Sequence, residues 1–281
     1  MSEVHADDHP QQRPREVWDS GAAYEGYVGR WSRRVARAFL TWLAIPAGAR
    51  WLDVGCGTGA LSQTILDHAE PVSVRGVDPS PNYVAYAREQ IADPRATFEV
   101  GDARALPVAD GVCDVVVSGL MLNFVPAADQ VVAVAEMRRA VRPGGTVAAY
   151  VWDYAGDMQL MRHFWDAAAA LDPALELDEG RRFPLCQPGP LAVLFRDGGL
   201  DNVEVRPVDV PTPFRDFDDY WTPFLGGQGA APSYAMSLPE DHRTALRERI
   251  RAGLPFATDG SIHLIARAWA VRGTAPSVAW S

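Results

Sequence analysis

Through its first half the chain alternates short apolar runs with amphipathic stretches. The runs at 50–54, 72–77, 96–100, 113–118 and 145–152 are bounded by Gly, Asp and Pro and read as buried strands. Between them, apolar residues recur at helical spacing over 59–69, 81–92 and 128–141. Leu61, Ile65 and Leu66 share a face in the first stretch, and Val131, Val134, Met137 and Val141 carry the third. Ser80-Pro81 supplies a helix cap with proline in the first turn, and Pro143-Gly144-Gly145 is a stop. Upstream, two short helices are expected near 22–28 and 32–43, the second with Val35, Phe39, Trp42 and Leu43 on one side. Residues 1–17 read as a disordered tail. Strand–helix alternation of this kind predicts an α/β fold, a parallel sheet covered by helices on both faces.

The chemistry concentrates at the first strand-to-helix turn, WLDVGCGTG at 51–59. An apolar run ends in Asp53, and Gly55, Gly57 and Gly59 alternate before the helix begins, with Cys56 inside the turn. Glycine is required where φ is positive or where a ligand must come closer than a Cβ allows, and the N–H groups at the helix start favour an anionic group. Gly55, Gly57 and Ala60 also satisfy the dinucleotide pattern G-x-G-x-x-G/A. The carboxylates decide between the two cofactors. Asp53 sits two residues before the first glycine, where it would repel a pyrophosphate but accept an ammonium group. Asp78 ends the next apolar run and suits ribose hydroxyls, and Asp102 ends the third and suits an exocyclic amine. Three carboxylates around one pocket fit S-adenosylmethionine, which carries a sulfonium, an ammonium and no phosphate.

Five ordered motifs carry a family resemblance: LDVGCGTG, VDPS, GDARALP, VVVSGLMLNFVP and VRPGG at 141–145. Over about residues 20 to 152 the chain resembles the class I S-adenosylmethionine-dependent methyltransferases of the small-molecule type similar to ubiquinone/menaquinone methylases. That resemblance implies a Rossmann-like, seven-stranded, doubly wound sheet of order 3-2-1-4-5-7-6 with strand seven antiparallel. It also implies that Asp53, Gly55, Cys56 and Gly57 line the methionine part of the cofactor and that Asp78 binds the ribose. Pro79 and Ser80 would flank the adenine, Asp102 and the backbone of Ala103 would read its edge, and Ser118, Gly119 and Asn123 would close the pocket near the methyl group. Ser118 and Asn123 serve equally well as backbone caps. The segment YEGYVGRWSRR resembles the part of related methylases that folds over the methionine end. From it Tyr24, Arg30 and Trp31 are candidates, Arg30 for the cofactor carboxylate, with core packing the competing reading for Tyr24 and Trp31.

After 152, helices are expected near 157–171 and 189–198, a strand at 203–210 and a last strand at 262–272. A parallel sixth strand ends at the ligand-bearing edge, and an antiparallel seventh begins there. The long stretch between them, 213–260, with a helix at 238–252 and a hinge or loop tip at Gly226-Gly227-Gln228-Gly229, is therefore expected to be a helical lid over the site. The expected organisation is a helical cap at 18–45, a core of 46–212 with 261–273, and the lid. Phe214, Phe217, Tyr220, Trp221, Phe224 and Tyr234 either meet an acceptor or form the core of the lid itself.

Composition narrows the function classes. Nearly half of the 281 residues are apolar, which suits one large core, and the net charge is −10. All 26 basic residues are arginine, so Schiff-base chemistry, a pyridoxal phosphate anchor and a phosphate-loop lysine are excluded. The acidic balance argues against nucleic acid as substrate, and the absence of an apolar run of membrane length argues against a membrane span. Cys56, Cys113 and Cys186 are widely spaced and odd in number, read as thiols of a reducing cytosol with no metal site. The expected partner is a small aromatic or apolar metabolite, with the chain a monomer or homodimer.

Methyl transfer is an in-line displacement in which alignment and dehydration supply much of the rate. Candidates for a base or an acceptor contact are Asp153 and Tyr154, just after strand five, and His163 in the next helix. Asp153 serves equally as a helix cap and His163 as a solvent-facing residue. A second functional reading, a cofactor-binding protein that does not transfer methyl, shares every motif above.

Overall fold

A computed structural model describes residues 29–226 and 229–277. The expected tail over 1–17, the short helix over 22–28, Tyr24, and Gly227-Gln228 of the glycine stretch lie outside these residues.

Seven strands form one sheet: β1 (Arg50–Val54), β2 (Ser73–Asp78), β3 (Ala96–Val100), β4 (Cys113–Gly119), β5 (Val141–Trp152), β6 (Asp201–Phe214) and β7 (Ile262–Thr274). Their order is β3-β2-β1-β4-β5-β7-β6. β1 is parallel to both β2 and β4, β3 is parallel to β2, and β5 to β4. β7 runs antiparallel to β5 and β6. The expected order and the direction of the seventh strand are those observed. The chain switches direction across the sheet between β1 and β4, which opens a crevice at the C-terminal ends of those strands.

Helix α1 (Arg30–Leu43) precedes β1, and the crossover helices are α2 (Ala60–His68), α3 (Pro81–Gln90) and α4 (Gln130–Ala140). α1 buries Trp31, Ser32, Val35, Ala36, Phe39, Leu40 and Leu43. Ser80 caps α3 by accepting from the Tyr83 N–H, with Pro81 in the first turn. α4 buries Ala133, Val134, Met137 and Ala140, while Val131 faces outward and Val141 already belongs to β5. The Arg142-Pro143-Gly144 bulge makes β5 start earlier than the glycines suggest: Val141 pairs with Cys113 before the register shifts and Thr146 pairs with Val115.

The second half adds α5 (Gln159–Leu171), the single turn α6 (Glu179–Arg182) and α7 (Pro188–Asp197) before β6. β6 is longer than expected, reaching Phe214 through Pro207, Pro211 and Pro213. Those prolines make the sequence look like a strand end at 210. They are tolerated because β6 is an edge strand, so one side of its backbone needs no N–H. Between β6 and β7 lie α8 (Phe217–Trp221), α9 (Ala230–Ser237) and α10 (Glu240–Gly253), and both α9 and α10 pack on α5. Among the described residues no helix is long and apolar enough to cross a membrane, and all three cysteines are buried thiols.

Candidate cofactor and acceptor site

The turn after β1 is pinned to the end of β2. The N–H groups of Gly55 and Cys56 both donate to the Val77 carbonyl, at 2.7 and 3.1 Å. Gly55, Gly57 and Gly59 have φ of +73°, +52° and +88°, so the three alternating glycines answer a backbone need. Their surroundings differ. A Cβ on Gly55 would lie 2.3 Å from the Met121 side chain, whereas one on Gly57 would meet nothing within 4 Å. Gly55 is tight because of packing; Gly57 faces open space at the cavity.

The two acids of the turn are held differently. Asp53 is fully buried and takes the Ser62 hydroxyl from α2 on Oδ2 at 2.7 Å, while its Oδ1 is buried with no partner. Burial pushes its carboxyl up to about 7, against the Ser62 hydrogen bond and with the Asp78 charge adding to the rise. Asp78 accepts the Gly57 N–H on Oδ2 and the Ser80 N–H on Oδ1, each at 2.9 Å, and burial outweighs those two bonds to raise its carboxyl as well. Two acids strained toward the neutral form at one wall mark a place short of positive charge.

Both acids open on one cavity of about 360 Å³ at the C-terminal edge of the sheet. Of the expected site residues it is lined by Asp53, Gly55, Cys56, Gly57, Asp78, Pro79, Ser80, Gly119 and Tyr154. Gly119 is bare because the Tyr150 hydroxyl would lie 2.6 Å from any Cβ there. Burial raises the Cys56 thiol well above its ordinary value, which leaves it a neutral wall group.

Other expected residues stand elsewhere. Asp102 turns away from the cavity wall to pair with Arg104 at 2.6 Å, which holds its carboxyl down at about 2, and Ala103 beside it is likewise off the wall. The local Asp-x-Arg loop outcompetes the cavity for that side chain. Arg30 reaches Asp219 at 3.1 Å and stacks over Trp31 and Phe214, and Trp31 packs edge-on against Phe214. These two therefore tie α1 to the end of β6 instead of lining the cavity. Ser118 and Asn123 are buried behind the wall, with Ser118 Oγ and both amide atoms of Asn123 unpartnered. Asp153 accepts the Asp157 N–H at 3.0 Å and closes the turn after β5. His163 is off the wall, and burial lowers its imidazole below its ordinary value, so it is neutral near pH 7. The aromatic residues between β6 and β7 pack on one another and on α5, as in the Phe164–Phe224 stack at 4.6 Å. From that segment the cavity wall takes Ala230.

Several wall residues have no motif. Tyr150 and Trp152 alternate at the end of β5 and so share a face, a period-two signal that the strand reading contains. Phe124, Met161, Phe183 and Glu179 come from loops and helices whose contribution no spacing announces. Phe183 meets Phe124 at 5.3 Å and Tyr154 at 5.6 Å, so part of the cavity wall is an aromatic cluster.

Comparison with known proteins agrees with this geometry. A family model described as a methyltransferase domain matches residues 52–145. The chain is 32% identical over 179 residues to a demethylmenaquinone methyltransferase of Bacillus licheniformis, covering 58% of this chain and 75% of that protein. It is 38% identical over 123 residues to a 2-methyl-6-phytyl-1,4-hydroquinone methyltransferase of Synechocystis, spanning 43% of this chain and 38% of that protein. Among solved structures, a phosphoethanolamine N-methyltransferase 2 of Haemonchus contortus, in complex with phosphomonomethylethanolamine and S-adenosylhomocysteine, matches with a TM-score of 0.56 and 17% identity. The match covers 91% of this chain and 56% of that one, a likeness of fold. Motif order, sheet order and relatives converge: the chain belongs to the class I S-adenosylmethionine-dependent methyltransferases.

Proposed function

We propose that the chain binds S-adenosylmethionine in this cavity and transfers its methyl group, by in-line displacement, to a small aromatic or apolar acceptor. The fit to the cofactor rests on two features. The Asp53 Oδ1 is a buried acceptor without a donor, and Gly57 presents bare backbone to open space. An ammonium group at Asp53 would satisfy the one and a close ligand the other. Asp78, Pro79 and Ser80 are the residues to hold the nucleoside. When bound, the cofactor supplies the methyl group and the sulfonium leaving group.

The chain's own share is placement and dryness. Asp53 and Asp78 orient the cofactor, and Tyr150, Trp152, Tyr154 and Phe183 of the same cavity wall exclude water. The observation that carries the acceptor class is that one cavity is lined by the carboxylates, the glycine turn and a cluster of aromatic side chains. The hydroquinone and the demethylmenaquinone in the names of two relatives accord with such an acceptor. In the proposed organisation 213–260 is the lid, joined to the core through α5 and reaching the cavity at Ala230. A net charge of −10 favours a small molecule over nucleic acid.

The test is release of S-adenosylhomocysteine from S-adenosylmethionine with separate phenol, amine and carboxylic-acid panels. Methylation of a compact aromatic acceptor supports the proposal. Cofactor binding with no methyl transfer to any panel would favour the non-transferring reading.

A further inference from the structure

Leu120 to Phe124, the segment that leaves β4, holds an arrangement that its own residues disfavour. The non-glycine residues with positive φ among the described residues are Ala44, Glu70, Leu120 and Asn202, and of these Leu120 alone lines the cavity. Its φ is +59°, a region that a bulky L-residue enters only when its surroundings impose it. The Leu120 N–H donates to the Tyr150 carbonyl at 2.8 Å, which fixes the residue there. Backbone strain of this kind persists where structure over-determines it, and it gathers at segments that switch.

The side chains of the same segment add to the cost. Asn123 is 5% exposed, and neither its amide nitrogen nor its amide oxygen has a partner. Ser118, two residues before Leu120, is fully buried with its hydroxyl likewise unpartnered. Buried polar groups without partners raise the free energy of the arrangement that holds them. Met121 lies so close to the glycine turn that Gly55 has no room for a Cβ, and both residues line the cavity. An unbranched thioether with three rotatable bonds leaves such a place readily. The Phe124 N–H donates to the Met121 carbonyl at 2.8 Å, so Met121 moves together with the turn that carries Asn123.

Resting on the proposed cofactor binding, we infer that Leu120–Phe124 is a gate over the glycine turn, shut in the arrangement described here and opened by the cofactor. Opening moves the Met121 side chain off Gly55 and releases Leu120 from the left-handed region. It also gives the Asn123 amide hydrogen-bond partners. Gly119, just before the gate, absorbs the backbone change. Strain and unmet hydrogen bonds in the shut arrangement bring the two arrangements close in free energy, so that a ligand preferring one can select it.

The test is stopped-flow binding of S-adenosylhomocysteine to the full chain, read by intrinsic tryptophan fluorescence, since Trp152 stands in the wall. The observed rate should level off at high nucleoside concentration, where opening becomes limiting. Met121→Ala should raise that plateau about tenfold without weakening the equilibrium affinity. Asn123→Leu removes the polar groups that opening satisfies. Its melting temperature without nucleoside should hold or rise, while its affinity falls about tenfold. A rate that climbs without levelling, or a Met121→Ala protein with an unchanged plateau or weaker binding, would overturn the gate. So would an Asn123→Leu protein that melts lower or binds as tightly as before, and each of these leaves the cofactor reading intact. Failure of S-adenosylhomocysteine to bind the unaltered chain would overturn both.

Discussion

The Asp78 carboxylate holds the Gly57 N–H at 2.9 Å, 21 residues away along the chain, and with its other oxygen holds the Ser80 N–H. One side chain therefore clamps the glycine turn after β1 to the helix start after β2. Any nucleoside seated between them meets a floor already fixed by the protein.

Asp78→Ala should accordingly do two things. Loss of the clamp leaves two backbone donors without this acceptor, costing about 1–3 kcal/mol of stability. The rise in melting temperature that S-adenosylhomocysteine gives by mass action should disappear. Differential scanning fluorimetry with and without the nucleoside reads both effects. An unchanged ligand-dependent shift would remove Asp78 from the site.

Asp53 predicts a pH dependence with a definite sign. Its carboxyl titrates at about 7 in the free protein, and an ammonium beside it favours the charged form. Binding then expels a proton, so affinity rises with pH through about 7 and levels above it. At pH 5 the affinity should be lower by up to about 100-fold, two pH units below that value. The same raised value means that the native state holds this proton more tightly than the unfolded chain does. Its contribution to stability is present at low pH and is lost as pH rises from about 4 to about 7. Asp53→Asn should therefore raise the melting temperature of the free protein at pH 8 and flatten the pH profile of binding, both measurable by calorimetry.

The glycines separate packing from binding. Gly55→Ala places a methyl 2.3 Å from Met121 at a φ of +73°, so it should destabilise the fold by about 2–4 kcal/mol in urea unfolding. Gly57→Ala meets no protein atom, so its cost is the strain of a left-handed residue, about 1–2 kcal/mol. Its larger effect should be on the nucleoside, which loses the bare backbone it approaches. A Gly57→Ala protein with undiminished cofactor affinity would contradict the placement.

Arg162 braces the part of the wall proposed to meet the acceptor. Arg162→Met keeps the aliphatic stem but removes the bonds to Asp178 and to the Tyr154 carbonyl. A stability loss of about 1.5–3 kcal/mol is expected from a charged hydrogen-bond network of this kind. Hydrogen exchange should quicken over 178–183 while the protection of β1 and α2 is kept.

How far the sequence carries differs along the cavity wall. The part of the wall proposed to hold the cofactor is written in local chemistry. Gly55 and Gly57 need positive φ, Asp53 and Asp78 end their strands, and Ser80-Pro81 starts a helix, so each is readable within a few residues. Asp102 shows the limit of that reading: it ends an apolar run as the others do, yet a neighbouring arginine takes it off the wall. Arg30 shows another, since its partner Asp219 is 189 positions away.

Periodicity and turn chemistry by themselves determined the β–α alternation, the glycine turn and the two acids beside it, because those depend on backbone conformation and neighbours close in the chain. Tertiary structure alone decided that β6 runs on through its prolines, which only an edge position permits. It also decided that Tyr150, Trp152, Tyr154, Phe183 and Glu179 meet around one space. Their meeting follows from how strands and helices pack, and packing brings together residues that carry no common spacing.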